Sequence, residues 1–83
     1  MDAWQELDEP WRAALELAWE AYLADTIPVG AVVGAGDGTI VARGRNRIFD
    51  PPGHGVAGSR LAHAEVDVLA QLPVTDRYRD HVL

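Results

Sequence analysis

A short apolar run in the middle of the chain constrains the fold most. Residues 29–33 are apolar at every position, too few for a helix, and rich in β-branched valine. An uninterrupted run of this kind predicts a central strand that is buried on both faces. Residues 34–38 include Asp37-Gly38, a pair that readily takes positive φ in hairpin turns. Residues 39–46 are then expected to be the returning strand, with helices on the faces of the sheet.

Two amphipathic helices are expected to provide that cover. The first begins after Asp8, whose carboxylate can accept hydrogen bonds from free amides, has Pro10 in its first turn, and ends before Pro28. Its predicted buried face follows helical spacing and consists of Trp11, Ala14, Leu15, Ala18 and Tyr22. The second helix is expected to begin near residues 59–62 and to stop at Pro73. Its predicted apolar stripe consists of Ala62, Val66, Leu69 and Ala70.

The remaining segments complete the predicted order of elements. Residues 47–60 are rich in Gly and Pro and predict a loop, which is long enough for so small a domain to favour a functional role. Residues 76–80 are expected to be a mixed-charge connector, and residues 81–83 the start of a third strand. Two strands and a beginning cannot cover two helices well. Residues 1–83 are therefore expected to form the N-terminal part of a single α/β domain.

Length, charge and cysteine content exclude several classes of protein. Eighty-three residues allow one small domain with a marginal core, and the absence of cysteine excludes disulfides. The net charge of −6 disfavours sequence-independent binding to nucleic acid, which requires Lys and Arg to neutralise phosphates. No basic leader with an apolar core is visible, and no apolar run approaches the length of a membrane span. We therefore expect no membrane contact and a cytoplasmic location.

His63-Ala64-Glu65 is the tripeptide whose side chains are best suited to metal binding and proton transfer. Successive helical residues diverge by about 100°, but at a helix start the first residue can lie outside helical geometry. His63 and Glu65 can then face one cavity. A neutral imidazole is a common Zn²⁺ ligand, and a carboxylate beside a zinc-bound water can take its proton and pass it to a substrate nitrogen. This chemistry suits the hydrolytic loss of ammonia from an amino-substituted ring, although the tripeptide alone is a weak signal.

Three linked segments make the signal more specific. They are residues 28–33, residues 44–47 with the sequence Gly-Arg-Asn-Arg, and residues 63–66 with the sequence His-Ala-Glu-Val. In their order and in their predicted places on a strand, a strand end and a helix start, they resemble the zinc-dependent cytidine/deoxycytidylate deaminase superfamily. The likeness is greatest to its tRNA adenosine deaminase and guanine deaminase branch. It covers about residues 10–83 and implies the N-terminal α-β-β-α portion of a three-layer α/β/α fold.

The resemblance also implies roles for five residues. His63 would be a zinc ligand and Glu65 the general acid and base, since the Glu of the family signature is not a ligand. Asn46 would hydrogen-bond the base or its sugar, the backbone of Ala64 would contact the ring edge, and Ile27 would pack near the base. The substrate would be a nucleobase, a nucleoside or a tRNA base, and relatives are commonly homodimers.

The chain departs from the family at one point. The signature continues with Pro-Cys-x-x-Cys, and this chain has no cysteine. Catalytic zinc sites use three protein ligands and a water, so the site is expected to be incomplete. The chain by itself is expected to bind zinc poorly and to be inactive.

Structural roles for the same residues stay open at this point. His63 could cap the helix or lie in the core, Glu65 could be a first-turn carboxylate favoured by the helix dipole, and Asn46 could merely end a strand. The whole chain could also be a non-catalytic interaction module that retains the deaminase scaffold. Its uncovered apolar faces would then bind a partner.

Overall fold

The predicted order of elements is confirmed. A computed structural model describes residues 3–53, 55–73 and 81–83. A short helix that was not predicted comes first, and the order then runs helix, strand, strand, helix: α1 Ala3–Glu6, α2 Glu9–Leu23, β1 Gly30–Gly34, β2 Ile40–Arg45 and α3 Ala64–Leu69. The fold is thus small and of mixed α/β class. The connector predicted over residues 76–80 lies outside the described residues.

The two strands form the predicted antiparallel hairpin. Gly30 pairs with Arg45 and Ala31 with Gly44, and the register continues regularly until an irregularity between Val33 and Gly34. In the turn, the Asp37 carboxylate accepts a hydrogen bond from the backbone N–H of Thr39 at 2.9 Å. Both strands lie within one residue of the predicted limits, because their β-branched runs and the intervening turn residues are local signals.

The helices α2 and α3 contact opposite faces of the hairpin. A Cβ atom built on Gly30 would overlap the carbonyl oxygen of Ala14 in α2, whereas one built on Gly44 would lie 2.6 Å from the backbone nitrogen of Val68 in α3. Gly44 pairs with Ala31, and successive strand residues face opposite sides. Gly30 and Gly44 therefore face opposite sides, and each lets one helix backbone approach closely.

The core lies between the hairpin and α3. Val33, Ala42 and Val68 form a buried cluster, with Ala31 and Leu72 packed against it. On the α2 face, Val32 is also buried, so β1 is covered on both sides in its second half as predicted. Val29, at the predicted start of the run, is exposed.

The predicted buried face of the first helix is wrong for its large residues. Trp11, Leu15 and Tyr22 are exposed, and Tyr22 stacks on exposed Trp19 with ring centroids 5.2 Å apart. Ala21 is buried instead, and the predicted Ala14 and Ala18 are half-buried. The small side chains face the sheet because close approach at Gly30 leaves no room there for an indole or a phenol ring. Asp8 and Pro10 lie at the predicted helix start, but the Asp8 side chain makes no capping hydrogen bond.

The second helix begins later and buries a different stripe than predicted. Residues 55–61 form turns, and α3 starts only at Ala64. Ala62 of the predicted stripe is buried, together with Ala64 and Val68, whereas the other three stripe residues, Val66, Leu69 and Ala70, are exposed. The close contact of Val68 with Gly44 fixes which side of the helix faces the hairpin.

Residues 81–83, predicted to start a third strand, form one isolated bridge to β1. Val82 forms an antiparallel bridge with Gly34, with hydrogen bonds in both directions at 2.8 and 2.9 Å. Among residues 3–53, 55–73 and 81–83, no helix has the length and apolar character needed to cross a membrane.

Candidate functional site

Asn46 is a buried amide at the end of β2. It is 1 % exposed, and its Oδ1 accepts hydrogen bonds from the Thr26 hydroxyl at 2.7 Å and from the Ile48 backbone N–H at 3.1 Å. A backbone N–H can only donate, so this bond fixes which end of the amide is the oxygen. Within the described residues, no hydrogen bond from Nδ2 is present. The Asn46 amide is therefore held by its oxygen and is almost completely buried.

Arg45 holds the backbone of Asn46 in place. Its guanidinium is 8 % exposed, donates to the Asn46 carbonyl oxygen at 2.9 Å, and forms a two-pronged ion pair with Asp50 at 2.9 and 3.2 Å. A fourth bond, at 3.3 Å, reaches the exposed Glu20 of α2. Bidentate Arg–carboxylate pairs fix orientation as well as distance, so the strand end cannot rotate freely.

Arg47 links the strand end to the start of α3. Its Nε donates to the Asp67 carboxylate at 3.0 Å, and its Nη1 approaches Asp50 at 3.3 Å. Partial burial opposes charging of this group, but the hydrogen bonds and charges of Asp67 and Asp50 raise its pKa above the ordinary value. Its backbone N–H donates to the Ala62 carbonyl at 2.8 Å, and the Arg45 N–H donates to the same Asp67 carboxylate at 3.0 Å.

His63 takes the N-cap position of α3 without serving as a cap. Its backbone is extended, with φ of −68° and ψ of 155°, and its side chain makes no capping hydrogen bond. The residue is exposed, so it is not a core histidine either. Its carbonyl accepts the first helical hydrogen bond, from the Asp67 N–H at 2.9 Å. The His63 imidazole is therefore neither a helix cap nor a core side chain.

The other three predicted residues occupy different environments. Ala64 is buried in the first turn of α3, and Ile27 is exposed beside Thr26, the hydroxyl partner of Asn46. Glu65 is exposed and lines a cavity of about 510 Å³ that also contacts α2 and β1. Of the five predicted residues, only Glu65 lines that cavity. That His63, Glu65 and Asn46 face one shared cavity therefore stays a prediction.

The structure brings Asn46 next to the residues that precede α3. The two residues flanking Asn46 are both hydrogen-bonded to residues 62–67, which include His63 and Ala64. The ion-pair residues that hold this arrangement were not found from the sequence. The alternation Arg-Asn-Arg at a buried strand end was the available signal, since buried guanidinium groups require carboxylate partners.

No complete metal site is present in the described part of the chain. No three His, Cys, Asp or Glu side chains there lie close enough to hold a metal ion. One exposed imidazole does not fit the three-ligand requirement of catalytic zinc.

Comparison of the chain with protein-family models, with curated proteins and with solved structures finds no match. The resemblance to deaminases therefore rests on the three sequence segments alone.

Proposed function

We propose that the chain is the N-terminal part of a three-layer α/β/α deaminase domain that hydrolytically removes the amino group of a nucleobase, nucleoside or tRNA base. The motif at residues 28–33 overlaps most of β1, Asn46 follows the end of β2, and His63 immediately precedes α3. These are the places that the resemblance assigns to the three segments.

The fixed amide of Asn46 carries the proposal. Its oxygen accepts hydrogen bonds within the protein, its nitrogen makes none among the described residues, and its neighbours are bonded to the residues around His63. A ring acceptor or a sugar oxygen is the complement of such a donor.

The proposed roles follow from position. Asn46 Nδ2 would donate to the substrate, the backbone of Ala64 would contact the ring edge, and Ile27 would cover the base. Glu65, exposed in the first turn of α3, would move protons to and from the reacting amino group. His63 would be one zinc ligand. The described residues do not by themselves make a zinc site.

The resemblance extends the proposal to location and assembly. We propose a cytoplasmic protein that forms a homodimer when the domain is complete. Both statements rest on analogy with the family.

A second candidate function is supported by the exposed face of α2. Trp11, Trp19 and Leu23 are each more than 60 % exposed, and Trp11 also lines the cavity beside β1. Large exposed apolar side chains in this number are typical of partner surfaces. The chain could thus retain the scaffold as a non-catalytic interaction module.

An ammonia-release assay separates the two functions. The product of the coding region that contains residues 1–83 is incubated with zinc and, in turn, with free bases, nucleosides and tRNA. The deaminase proposal expects ammonia from one of these substrates, loss of ammonia release with retained zinc in Glu65→Ala, and loss of both in His63→Ala. Glu16→Ala, which removes an exposed carboxylate of α2, is the matched control and should keep full activity. Retained activity in Glu65→Ala would contradict the assigned role, and absence of ammonia from every substrate would favour the interaction module.

A further inference from the structure

The hairpin turn contains the only aspartate of the chain that is followed by glycine. Asp37 and Gly38 are both exposed, and Gly38 has a φ of 90°. A Cβ atom built on Gly38 would meet nothing within 4 Å. Without a side chain at this position, the Gly38 nitrogen can approach the carboxyl group of Asp37 unhindered.

An Asp-Gly pair can rearrange through its own backbone. The Gly38 nitrogen attacks Cγ of the neutral Asp37 carboxyl group, the N–Cγ bond forms, and the Cγ–OH bond breaks. One water leaves, made from that hydroxyl and the amide proton. Water then opens the five-membered imide, and opening at the α-carbonyl gives isoaspartate, whose backbone runs through Cβ and Cγ and whose α-carboxylate is free. The reaction needs only water, so its rate depends on how the turn holds the two groups.

The turn holds both reacting groups in other hydrogen bonds. The Gly38 N–H donates to the Ala35 carbonyl at 2.9 Å, and the Asp37 carboxylate accepts from the Thr39 N–H at 2.9 Å. The nitrogen must give up the first bond before it can lose its proton, and the carboxyl group must leave the second before it can rotate. Ring closure therefore requires the turn to open.

The same turn keeps the carboxyl group charged. Hydrogen bonds from Thr39, first from its side chain and then from its backbone, hold the pKa of Asp37 below the ordinary value. Since the neutral carboxyl group is the form that is attacked, the closed turn contains less of the reactive form than an unfolded chain at the same pH.

We propose that Asp37 is a site of isoaspartate formation that the closed hairpin turn suppresses and that opening of the turn makes reactive. The modification adds one carbon to the backbone at the tip of the hairpin and takes the carboxylate away from the Thr39 N–H. It should therefore break the bond of 2.7 Å between the Ala35 N–H and the Thr39 carbonyl. The site involves residues 35–39 alone and does not depend on the proposed deaminase function.

Incubation of the full chain, folded or unfolded in guanidinium chloride at the same pH, tests the suppression. The peptide that contains isoaspartate is separated by chromatography and resists a protease that cleaves before aspartate. Isoaspartate at position 37 should form about tenfold or more slowly in the folded chain, and this slowing should match the hydrogen-exchange protection of the Gly38 amide within about threefold. Equal rates, a slowing far below that protection, or no isoaspartate in the unfolded chain would each overturn the proposal.

Variants of the turn test which contacts suppress the reaction. Thr39→Ala should accelerate the reaction of the folded chain about two- to fivefold and leave that of the unfolded chain unchanged, whereas Thr39→Ser should keep the original rate. Asp37→Glu, which would need a six-membered ring, is the control for the assay and should give no product on this time scale. Equal rates in folded Thr39→Ala and in the unmodified chain would overturn the assignment of the suppression to Thr39.

Hydrogen exchange of the purified isoaspartate form tests the structural consequence. The Ala35 amide should lose its protection. The Asn46 amide, which bonds to the Val29 carbonyl at the other end of the hairpin at 2.9 Å, should keep it and serves as the internal control. Unchanged protection of Ala35 would contradict the predicted break at the hairpin tip.

Discussion

Gly44→Ala tests how α3 is seated on the hairpin. The new Cβ would lie 2.6 Å from the Val68 backbone nitrogen, 2.8 Å from its Cβ and 2.9 Å from its Cα. Ordinary contacts begin at about 3.5 Å, so α3 must move outward by about 1 Å. Val68 is fully buried and two of the three obstructing atoms are backbone, so a rotamer change cannot relieve the overlap.

The expected loss of stability is large for a chain of this size. Overpacking of a core typically costs about 1–3 kcal/mol, and we expect the upper half of that range because the obstruction is backbone. A domain of 83 residues has a total stability of about 4–12 kcal/mol. A loss of about 2–3 kcal/mol corresponds to a fall in Tm of about 10–20 °C.

Urea unfolding followed by circular dichroism and tryptophan fluorescence measures this loss. Gly53→Ala is the matched control, because a Cβ there would meet nothing within 4 Å and the backbone has no positive φ. Its stability should stay within about 0.5 kcal/mol of the unmodified protein. If Gly44→Ala were equally harmless, α3 would not be packed against Gly44. The proximity of Asn46 to the start of α3 would then lose its basis.

Two further predictions concern the ion-pair cluster and the turn. Asp67→Asn should lower the free energy of unfolding in urea by about 1–3 kcal/mol, because the carboxylate binds both the Arg45 N–H and the Arg47 side chain. A change below about 0.5 kcal/mol, as expected for surface positions, would contradict this. NMR titration should show that the pKa of Asp37 is lowered, chiefly by a hydrogen bond from the Thr39 side chain and then by the Thr39 backbone. Since the folded pKa is lowered, the stabilisation is complete above the ordinary pKa and is lost as the pH falls through the lowered one. Thr39→Ala should move the pKa back toward its ordinary value and Thr39→Ser should not; an unchanged pKa in the Ala variant would exclude the side-chain bond as the cause.

The hairpin could be predicted because its signals are local. The β-branched run, the Asp37-containing turn and the returning strand each lie within a few residues, and the hydrogen bonds between them follow from the turn. The order of elements could be predicted for the same reason. The start of α3 was placed too early because residues 55–61 form turns rather than the first turn of the helix.

The buried face of α2 could not be read from periodicity. Apolar residues surround most of that helix, so two faces satisfied the same spacing, one with Trp11 and Leu15 and the other with Ala21. The choice between them depends on Gly30, which lies in another element and lets the backbone of α2 at Ala14 and Ala18 approach closely. This information is tertiary and has no signature within the helix itself.

The candidate site also combines local features, which could be predicted, with contacts between distant residues, which could not. Asn46 could be placed at a strand end from its immediate neighbours, whereas its fixed amide depends on Thr26, 20 residues away. The pairing of Arg45 and Arg47 with Asp67 joins residues separated by 22 and 20 positions. Such contacts appear only when α3 is packed against the hairpin.

The central claim is that the Asn46 amide and the start of α3 form one binding site for a base. NMR titration of the chain with adenosine, cytidine and guanine tests it directly. We predict that one of these ligands shifts the Asn46 side-chain amide and the Ala64 backbone amide together and saturably. The side-chain amide of Gln71, which bonds to backbone carbonyls outside the site, should not move. Saturable shifts that omit both Asn46 and Ala64, or no saturable shift with any of the three ligands, would contradict the account.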